Sequence, residues 1–401
     1  MTPPQKRKML VVDSVGAALS SDDVLCEILI RLPPAEVFRS LLVSKRWLRF
    51  ICSSGFLQFY LNRWPVSFRL LGFFVSNNLY LKRPKDGQRR PKSEPALPLL
   101  PTCKEGDDLS FSGILKQLGY LIDSSNGLLL GGRHPKSYSV WNPITNKHQK
   151  LPRPRVYFEE LCMAFLVDGY PIEDMCYKVI RAKCECIIDD IKTVSIETYH
   201  SKTKTWYYSI LTCSSSLALC PWMAGTVVRG VVHWYAAMGN LAIYDAQSDE
   251  RRIEVIKLPG SNDYEERALG ESCDGLVQYG WSNESGMEIW VLKSSDQGIS
   301  SSNWNLRYRL KFKTMWRRNL RMVATGGCRF DKETQILSFY PKDSDSVYIR
   351  SGSEIFIYHR GTETVEPVSY HGRGSSIMWD FSKVVPYFRP CWPHSSACGA
   401  T

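Results

Sequence analysis

The chain of 401 residues holds no uninterrupted apolar run of the about 18 residues that a membrane-spanning helix requires. Its most apolar neighbourhood, residues 217–244, is cut by Arg229, His233 and Asn240. No membrane partner is therefore expected. The opening residues MTPPQKRKML are basic but precede no apolar stretch with a cleavage-like site, so a secretory signal is not expected. Paired cysteine knuckles are also missing. The 13 cysteines are odd in number and follow no repeating spacing, which fits reduced thiols in a cytoplasmic and/or nuclear protein. The tightest pair, Cys184-x-Cys186, has no second pair at a distance that would complete a four-ligand zinc site. Alternate residues of a strand point the same way, so both are expected to pack, and no metal is expected.

Catalytic signatures are equally scarce. There is no phosphate-cradling Gly-rich loop ending in Lys-Ser/Thr, no His-Glu-x-x-His and no Gly-x-Ser-x-Gly. The seven histidines are scattered, and His233 beside Trp234 reads as a packed residue rather than a base. Ser294-Ser-Asp296-Gln-Gly298 resembles the turn of sialidase-type propellers but has Ser301 where that turn carries an aromatic, so it reads as a polar hairpin turn. No local Tyr, His and Cys cluster of the copper-oxidase kind is present. No catalytic residue and no cofactor are expected.

What is there begins with charge. The formal net charge is +11, gathered in three windows: +3 at residues 6–8, +5 at 82–92 and +7 at 307–321, which leaves the remainder near −4. The 82–92 run lies in a Pro-rich loop. Arg307, Arg309, Lys311 and Lys313 alternate with Tyr308, Leu310 and Phe312, the pattern of a strand with one solvated face. A nucleic-acid partner is therefore not expected, while a basic rim suits an acidic protein partner.

Residues 20–47 read as two short amphipathic helices. Ser20 is placed to cap the first, with Asp23 completing a capping-box-like pair and Asp22 adding charge to the first turn. Val24, Leu25, Ile28, Leu29 and Leu32 form one apolar stripe at helical spacing. Pro33 and Pro34 end that helix and open the next, whose stripe is Val37, Phe38, Leu41 and Leu42. Trp47, Leu48 and Ile51 continue into a third segment. So short a module buries little core of its own and presents surplus apolar surface to a partner, or else caps a larger domain.

This segment resembles an F-box, the module that docks onto the Skp-family adaptor of SCF-type ubiquitin ligases. Asp23, Glu27-Ile28-Leu29, Arg31-Leu32-Pro33, Arg39 and Val43-Ser44-Lys45-Arg46-Trp47 stand in the family's order, while Ser20-Ser21 replaces its Leu-Pro. The resemblance implies that Leu25, Ile28, Leu29, Leu32, Pro33, Val37, Val43 and Trp47 contact the adaptor or support the contacting face. It also implies a grip weakened by Ser20-Ser21.

Beyond Trp64 the texture changes to short apolar runs between polar turns, and one pattern recurs: a strand closing on an aromatic, a turn, then a second strand. It appears at Tyr138–Trp141, Ile196–Tyr199, Leu241–Tyr244, Met287–Trp290 and Ile355–Tyr358. The aromatics lie 58, 45, 46 and 68 residues apart, against about 40–50 for one propeller blade. Residues 126–130, 229–234 and 273–277 are expected to open blades, their glycines letting the chain turn as it enters the innermost strand.

Ser125-Asn126-Gly127-Leu128, Val140-Trp141-Asn142-Pro143 with Thr145, Gly230–Trp234, and Ile289-Trp290-Val291-Leu292-Lys293 with Trp304 resemble the F-box-associated, kelch-like domain of plant F-box proteins. The expected fold class is a small all-α N-terminal F-box module followed by an all-β propeller of about six irregular blades, with five or seven as alternatives. The expected division is a disordered 1–17, the module over 18–64, the propeller over 65–385 with a mobile loop at 81–108, and a flexible tail at 386–401. The resemblance implies a non-catalytic substrate-recognition subunit of an SCF-type E3 ligase. Its implied partners are the Skp-family adaptor, through it cullin and RING subunits, and an unidentified target. Two other functions stay open: a propeller enzyme capped by the helices, and an F-box protein with a non-ligase regulatory role.

Overall fold

The structure is a computed structural model. It describes residues 21–32, 34–63, 68–77, 99–101, 120–133, 136–143, 147–168, 176–184, 192–221, 224–260, 266–293, 303–320, 333–340, 344–352, 354–368 and 382–390. Two compact units emerge, one centred on the residues up to Arg69, the other on Leu70–Gly169 and Cys176–Phe388. The first is helical: α1 (Asp22–Leu29), α2 (Pro34–Ser40), α3 (Lys45–Ile51) and α4 (Ser54–Arg63).

The second is built from antiparallel meanders taken in chain order. The first sheet is β3 (Tyr120–Ser125), β4 (Leu128–Arg133), β5 (Ser137–Asn142) and β6 (Lys147–Lys150). The second is β7 (Leu161–Asp168), β8 (Cys176–Lys183), β9 (Thr193–His200) and β10 (Thr205–Cys213). The third is β11 (Thr226–Val228), β12 (Val231–Ala236), β13 (Asn240–Asp245) and β14 (Arg252–Lys257). The fourth is β15 (Glu266–Glu271), β16 (Val277–Ser282), β17 (Gly286–Leu292) and β18 (Trp304–Lys311). The fifth is β19 (Thr334–Phe339), β20 (Ser346–Ser351), β21 (Glu354–His359) and β22 (Thr364–Pro367). A sixth sheet joins β1 (Phe68–Asn77) and β2 (Leu99–Pro101) to β23 (Ser382–Pro390), in the order β2-β1-β23.

The first strands of successive meanders lie side by side, β3 by β7, β7 by β11, β11 by β15 and β15 by β19. They are therefore the inner strands of a propeller, and the fourth strands form its outer wall. The sixth sheet brings together the first and last described strands, with Phe74 of β1 and Tyr387 of β23 both fully buried and their rings 5.6 Å apart. The pairing with β23 on one side and β2 on the other gives β1 a partner along both edges. It also corrects the expected tail: β23 runs past residue 385 to Pro390 as the partner strand of β1. Within the expected loop at 81–108, Leu99–Pro101 forms β2.

The five aromatic-closed segments all fall on third strands: β5, β9, β13, β17 and β21. A third strand is paired on both edges and packed on both faces, so it tolerates few polar groups. Trp141, Tyr199 and Tyr358 are buried accordingly, and Tyr244 stacks on Trp234. The outermost β6, Lys147-His-Gln-Lys150, is exposed throughout.

The three glycine segments do not open blades. Each sits at the turn leaving the inner strand, and the residues after it form the second strand. Ser125 pairs with Leu128 across Asn126-Gly127, and Val228 with Val231 across Arg229-Gly230. Both central residues have positive φ, 44° and 81° in one turn, 50° and 82° in the other. A two-residue hairpin demands that left-handed geometry, which explains the glycines.

The expected strand over 307–313 is also shortened. It ends at Lys311, and Phe312–Arg318 form a helix, α5. Phe312, Met315 and Trp316, spaced for one helical face, are buried in the core shared by the fourth and fifth sheets. Trp316 Nε1 donates to Thr334 Oγ1 at 3.1 Å, and Asn319 accepts from Val365 N at 2.9 Å.

Other seams are sutured the same way. Trp234 Nε1 donates to Met163 O at 3.0 Å and Trp206 Nε1 to Pro152 O at 2.9 Å. The second and third sheets are further joined at their outer strands, where β10 and β14 pair in parallel through Thr212 with Arg252 and Cys213 with Ile253. Cys184 lies in the core of these two sheets, whereas Cys186 and residues 294–300 lie outside the described residues.

Candidate functional site

The helical unit closes around Leu25, Leu29, Val37, Ile51, Phe56 and Tyr60, with Leu32, Leu41 and Trp47 packed at its margin. Leu25 and Leu29 are one turn apart, so α1 presents them together to α3 and α4. The Tyr60 hydroxyl donates to Leu32 O at 2.8 Å, satisfying a carbonyl where the chain leaves α1. Burial pushes that phenol up to about 12. Phe56 lies between the Phe50 ring at 5.4 Å and the Tyr60 ring at 5.6 Å.

Helix ends are set locally. Ser44 caps α3, its Oγ accepting from Trp47 N at 3.1 Å. Ser53 Oγ accepts from Phe56 N at 3.3 Å at the head of α4. At α1 the cap position is Ser21, one residue later than expected, and its side chain makes no capping hydrogen bond. Asp22 instead reaches across to Arg46 at 2.6 Å, tying the first turn of α1 to α3. Glu27–Arg31 at 3.0 Å and Glu36–Arg39 at 2.6 Å are exposed pairs along single helices, worth a few tenths of a kcal/mol each.

The apolar stripe of α1 divides between two faces. Leu25 and Leu29 are fully buried, while Val24 and Ile28, also one turn apart, face solvent, Ile28 at 41% exposure. The turn after α2 exposes Leu42 at 91% and Val43 at 60%, and α4 exposes Phe59 at 64%. Leu42, read from periodicity as part of a buried stripe, lies beyond the end of α2 and so escapes its face. A family model described as "F-box domain" matches residues 21–59, and one described as "F-box protein At3g26010-like, beta-propeller" matches residues 110–355. The chain is a plant F-box protein of this propeller family.

F-box protein At5g03970 of Arabidopsis thaliana is 52% identical over 382 residues, spanning 95% of this chain and 90% of that one. Putative F-box protein At1g47390 of the same plant is 23% identical over 295 residues, 70% of this chain and 73% of its own.

Of the eight residues singled out by the F-box pattern, Leu25, Leu29 and Val37 are interior and hold the module together. Leu32 and Trp47 are half-buried at its edge, Ile28 and Val43 are exposed, and Pro33 lies outside the described residues. Leu42 and Phe59, which the F-box pattern does not single out, are exposed as well. The signal for Leu42 was its position beside Val43, ahead of the Ser44 cap, where no helix holds it inward.

In the propeller, the turns from inner to second strands gather at one end. Three of them are cross-linked to neighbouring blades: Asn126 Nδ2 donates to Val167 O at 3.1 Å, Arg229 to Asp274 O at 2.7 Å, and Cys273 N to Ser344 Oγ at 3.0 Å. These bonds tie neighbouring blades together at that end. His233, in β12, is buried and its Nδ1 lies 3.3 Å from Thr226 O. Burial holds its imidazole down to about 4, so it stays neutral as a packing residue.

Proposed function

We propose that this protein is the target-recognition subunit of an SCF-type ubiquitin ligase. The helical module docks a Skp-family adaptor and, through it, cullin and RING subunits, while the propeller holds a target protein. The chain contributes no catalytic group. Ubiquitin transfer belongs to the associated conjugating enzyme, and the rate gain comes from holding the target within reach. The working compartment is the cytoplasm, the nucleus or both.

The observation that carries this reading is the exposure of Ile28, Leu42, Val43 and Phe59 on a module whose own core is already closed. Such side chains gain about 1.5–3 kcal/mol each when fully buried, and a partner is what can bury them. In this arrangement Ile28 and Val43 make contact, whereas Leu25, Leu29 and Val37 keep the contacting face in shape. A polar change at Leu29 would unfold the module, so the test belongs at the exposed positions.

Co-expression with a plant Skp-family adaptor should yield a stable complex with the wild-type chain. Ile28→Asp together with Val43→Asp should weaken it by about a thousandfold, at about 2 kcal/mol per anchor, with circular dichroism and melting temperature unchanged. A folded wild-type chain that fails to bind the adaptor sinks the reading.

A further inference from the structure

The fourth blade carries a cationic surface that the fold does not need. Residues 303–320 contain Arg307, Arg309, Lys311, Lys313, Arg317 and Arg318 and no acid. Two of the six are committed: Arg309 pairs with Glu288 at 2.5 Å, and Arg318 pairs with Glu363. Glu288 also accepts from Trp290 Nε1 at 3.1 Å, so that carboxylate is fully engaged. Lys311, Lys313 and Arg317 are exposed and make no ion pair among the described residues.

The geometry lines them up. Arg307 is the extra residue of a β-bulge opposite Ile289 and Trp290. Beyond the bulge, Tyr308 and Leu310 turn inward while Arg309 and Lys311 turn outward. α5 then buries Phe312, Met315 and Trp316 and leaves Lys313 and Arg317 on its outer side. β18 is the outermost strand of its sheet and pairs with β17 alone among the described strands, the position at which an extended chain can add to a sheet.

We infer that the outer wall formed by β18 and α5 is a docking surface for an acidic, extended polypeptide segment of the protein that the propeller captures. Charge complementarity carries the choice: the chain outside its three basic windows sums to about −4, so these cations are a local concentration in the sequence rather than part of a general basicity. The aromatic groups of the wall speak against nucleic acid. Trp304, Phe312 and Trp316 are buried and Tyr308 is half-buried under Arg360, which leaves no stacking platform for bases.

This inference rests on the propeller being the target-holding part, and its test is separable from adaptor binding. Fluorescence anisotropy would follow a labelled oligoglutamate peptide titrated with the full chain. The wild type should bind, less tightly as salt rises. Lys311→Glu, Lys313→Glu and Arg317→Glu combined should weaken binding by at least about tenfold, with adaptor binding unchanged. Lys147→Glu, Lys150→Glu and Lys204→Glu combined make the same net-charge change on exposed sites elsewhere and should leave the peptide affinity within about twofold. Equal loss in both triples overturns the site, as does tighter binding of a charge-matched oligonucleotide through the same three residues. Absence of wild-type binding at low salt also overturns it, leaving these cations as guards of an open strand edge. Failure of adaptor binding alone would refute the ligase reading while leaving the surface standing.

Discussion

Arg181 of β8 and Glu197 of β9 face each other across the second blade and form an ion pair with neither side chain exposed to solvent. Its surroundings are complete. Arg181 Nη1 also donates to Val156 O at 3.1 Å and its Nε to the Tyr138 hydroxyl at 3.2 Å. The guanidinium lies 5.0 Å from the Phe158 ring centre and 5.8 Å from that of Trp206. Glu197 Oε1 accepts from Arg155 N at 2.6 Å. The pair thereby anchors the segment that leads from the first blade to the second. Arg181→Met strands a carboxylate in the interior and should cost about 3–5 kcal/mol. Glu197→Gln keeps the acceptor for Arg155 N but strands the guanidinium, and should cost a similar amount. The double variant strands no charge, and its loss should fall well below the sum, with a coupling energy of about 2 kcal/mol or more. Urea unfolding of the β-rich unit, read by tryptophan fluorescence across the four proteins of the cycle, measures each term. Additive losses, or a loss under about 1 kcal/mol for Arg181→Met, would refute the claim that desolvated charge governs this seam.

Two further outcomes follow from the same unit. His233 is held near 4 by burial, against about 6.5 in the unfolded chain, so the unfolded state takes up the proton first as pH falls. Its stabilisation is intact above about pH 6.5 and drains away toward pH 4, a loss of about 3 kcal/mol; His233→Asn should flatten the measured stability curve in that window, and a curve parallel to wild type would disprove the assignment. Gly275, at φ +72°, faces the Arg229 guanidinium so closely that an added Cβ would lie 2.2 Å from it. Gly275→Ala should cost about 1–3 kcal/mol through strain and the displaced Arg229–Asp274 link, whereas Gly361→Ala, which meets nothing within 4 Å, should stay within about 0.5 kcal/mol on the same unfolding assay.

Repetition made the propeller legible. A strand paired on both edges selects aromatic and β-branched residues whatever its neighbours are, so β5, β9, β13, β17 and β21 announce themselves locally. The inner strands do not. β11 has only Thr226–Val228, too short to show a period, and it is the glycine turn after it that stood out. That displacement led the glycines to be read as entering the innermost strand rather than leaving it. α5 is hidden for a related reason: Phe312 continues the alternation of Tyr308 and Leu310, and the helical spacing shows only from Met315 and Trp316 onward.

In the helical module, spacing identified the helices and the order of the F-box residues, but it could not separate Leu25 and Leu29 from Val24 and Ile28. Both pairs are one turn apart, and which one faces inward is set by where α3 and α4 lie. The same holds for the helix start, where Ser21 makes no side-chain cap bond and Asp22 pairs with Arg46 on α3, 24 residues away.

The amino-acid sequence by itself determined the helical module, the repeating strands and the family they belong to, because those features depend on neighbours within a few residues or on a pattern repeated many times. Only the tertiary structure decided that β23 returns to β1, that Arg181 meets Glu197, and that Lys311, Lys313 and Arg317 are exposed along β18 and α5 with no ion pair among the described residues. Those relations join residues distant in the chain, and their energies come from excluding water between surfaces that no local pattern encodes.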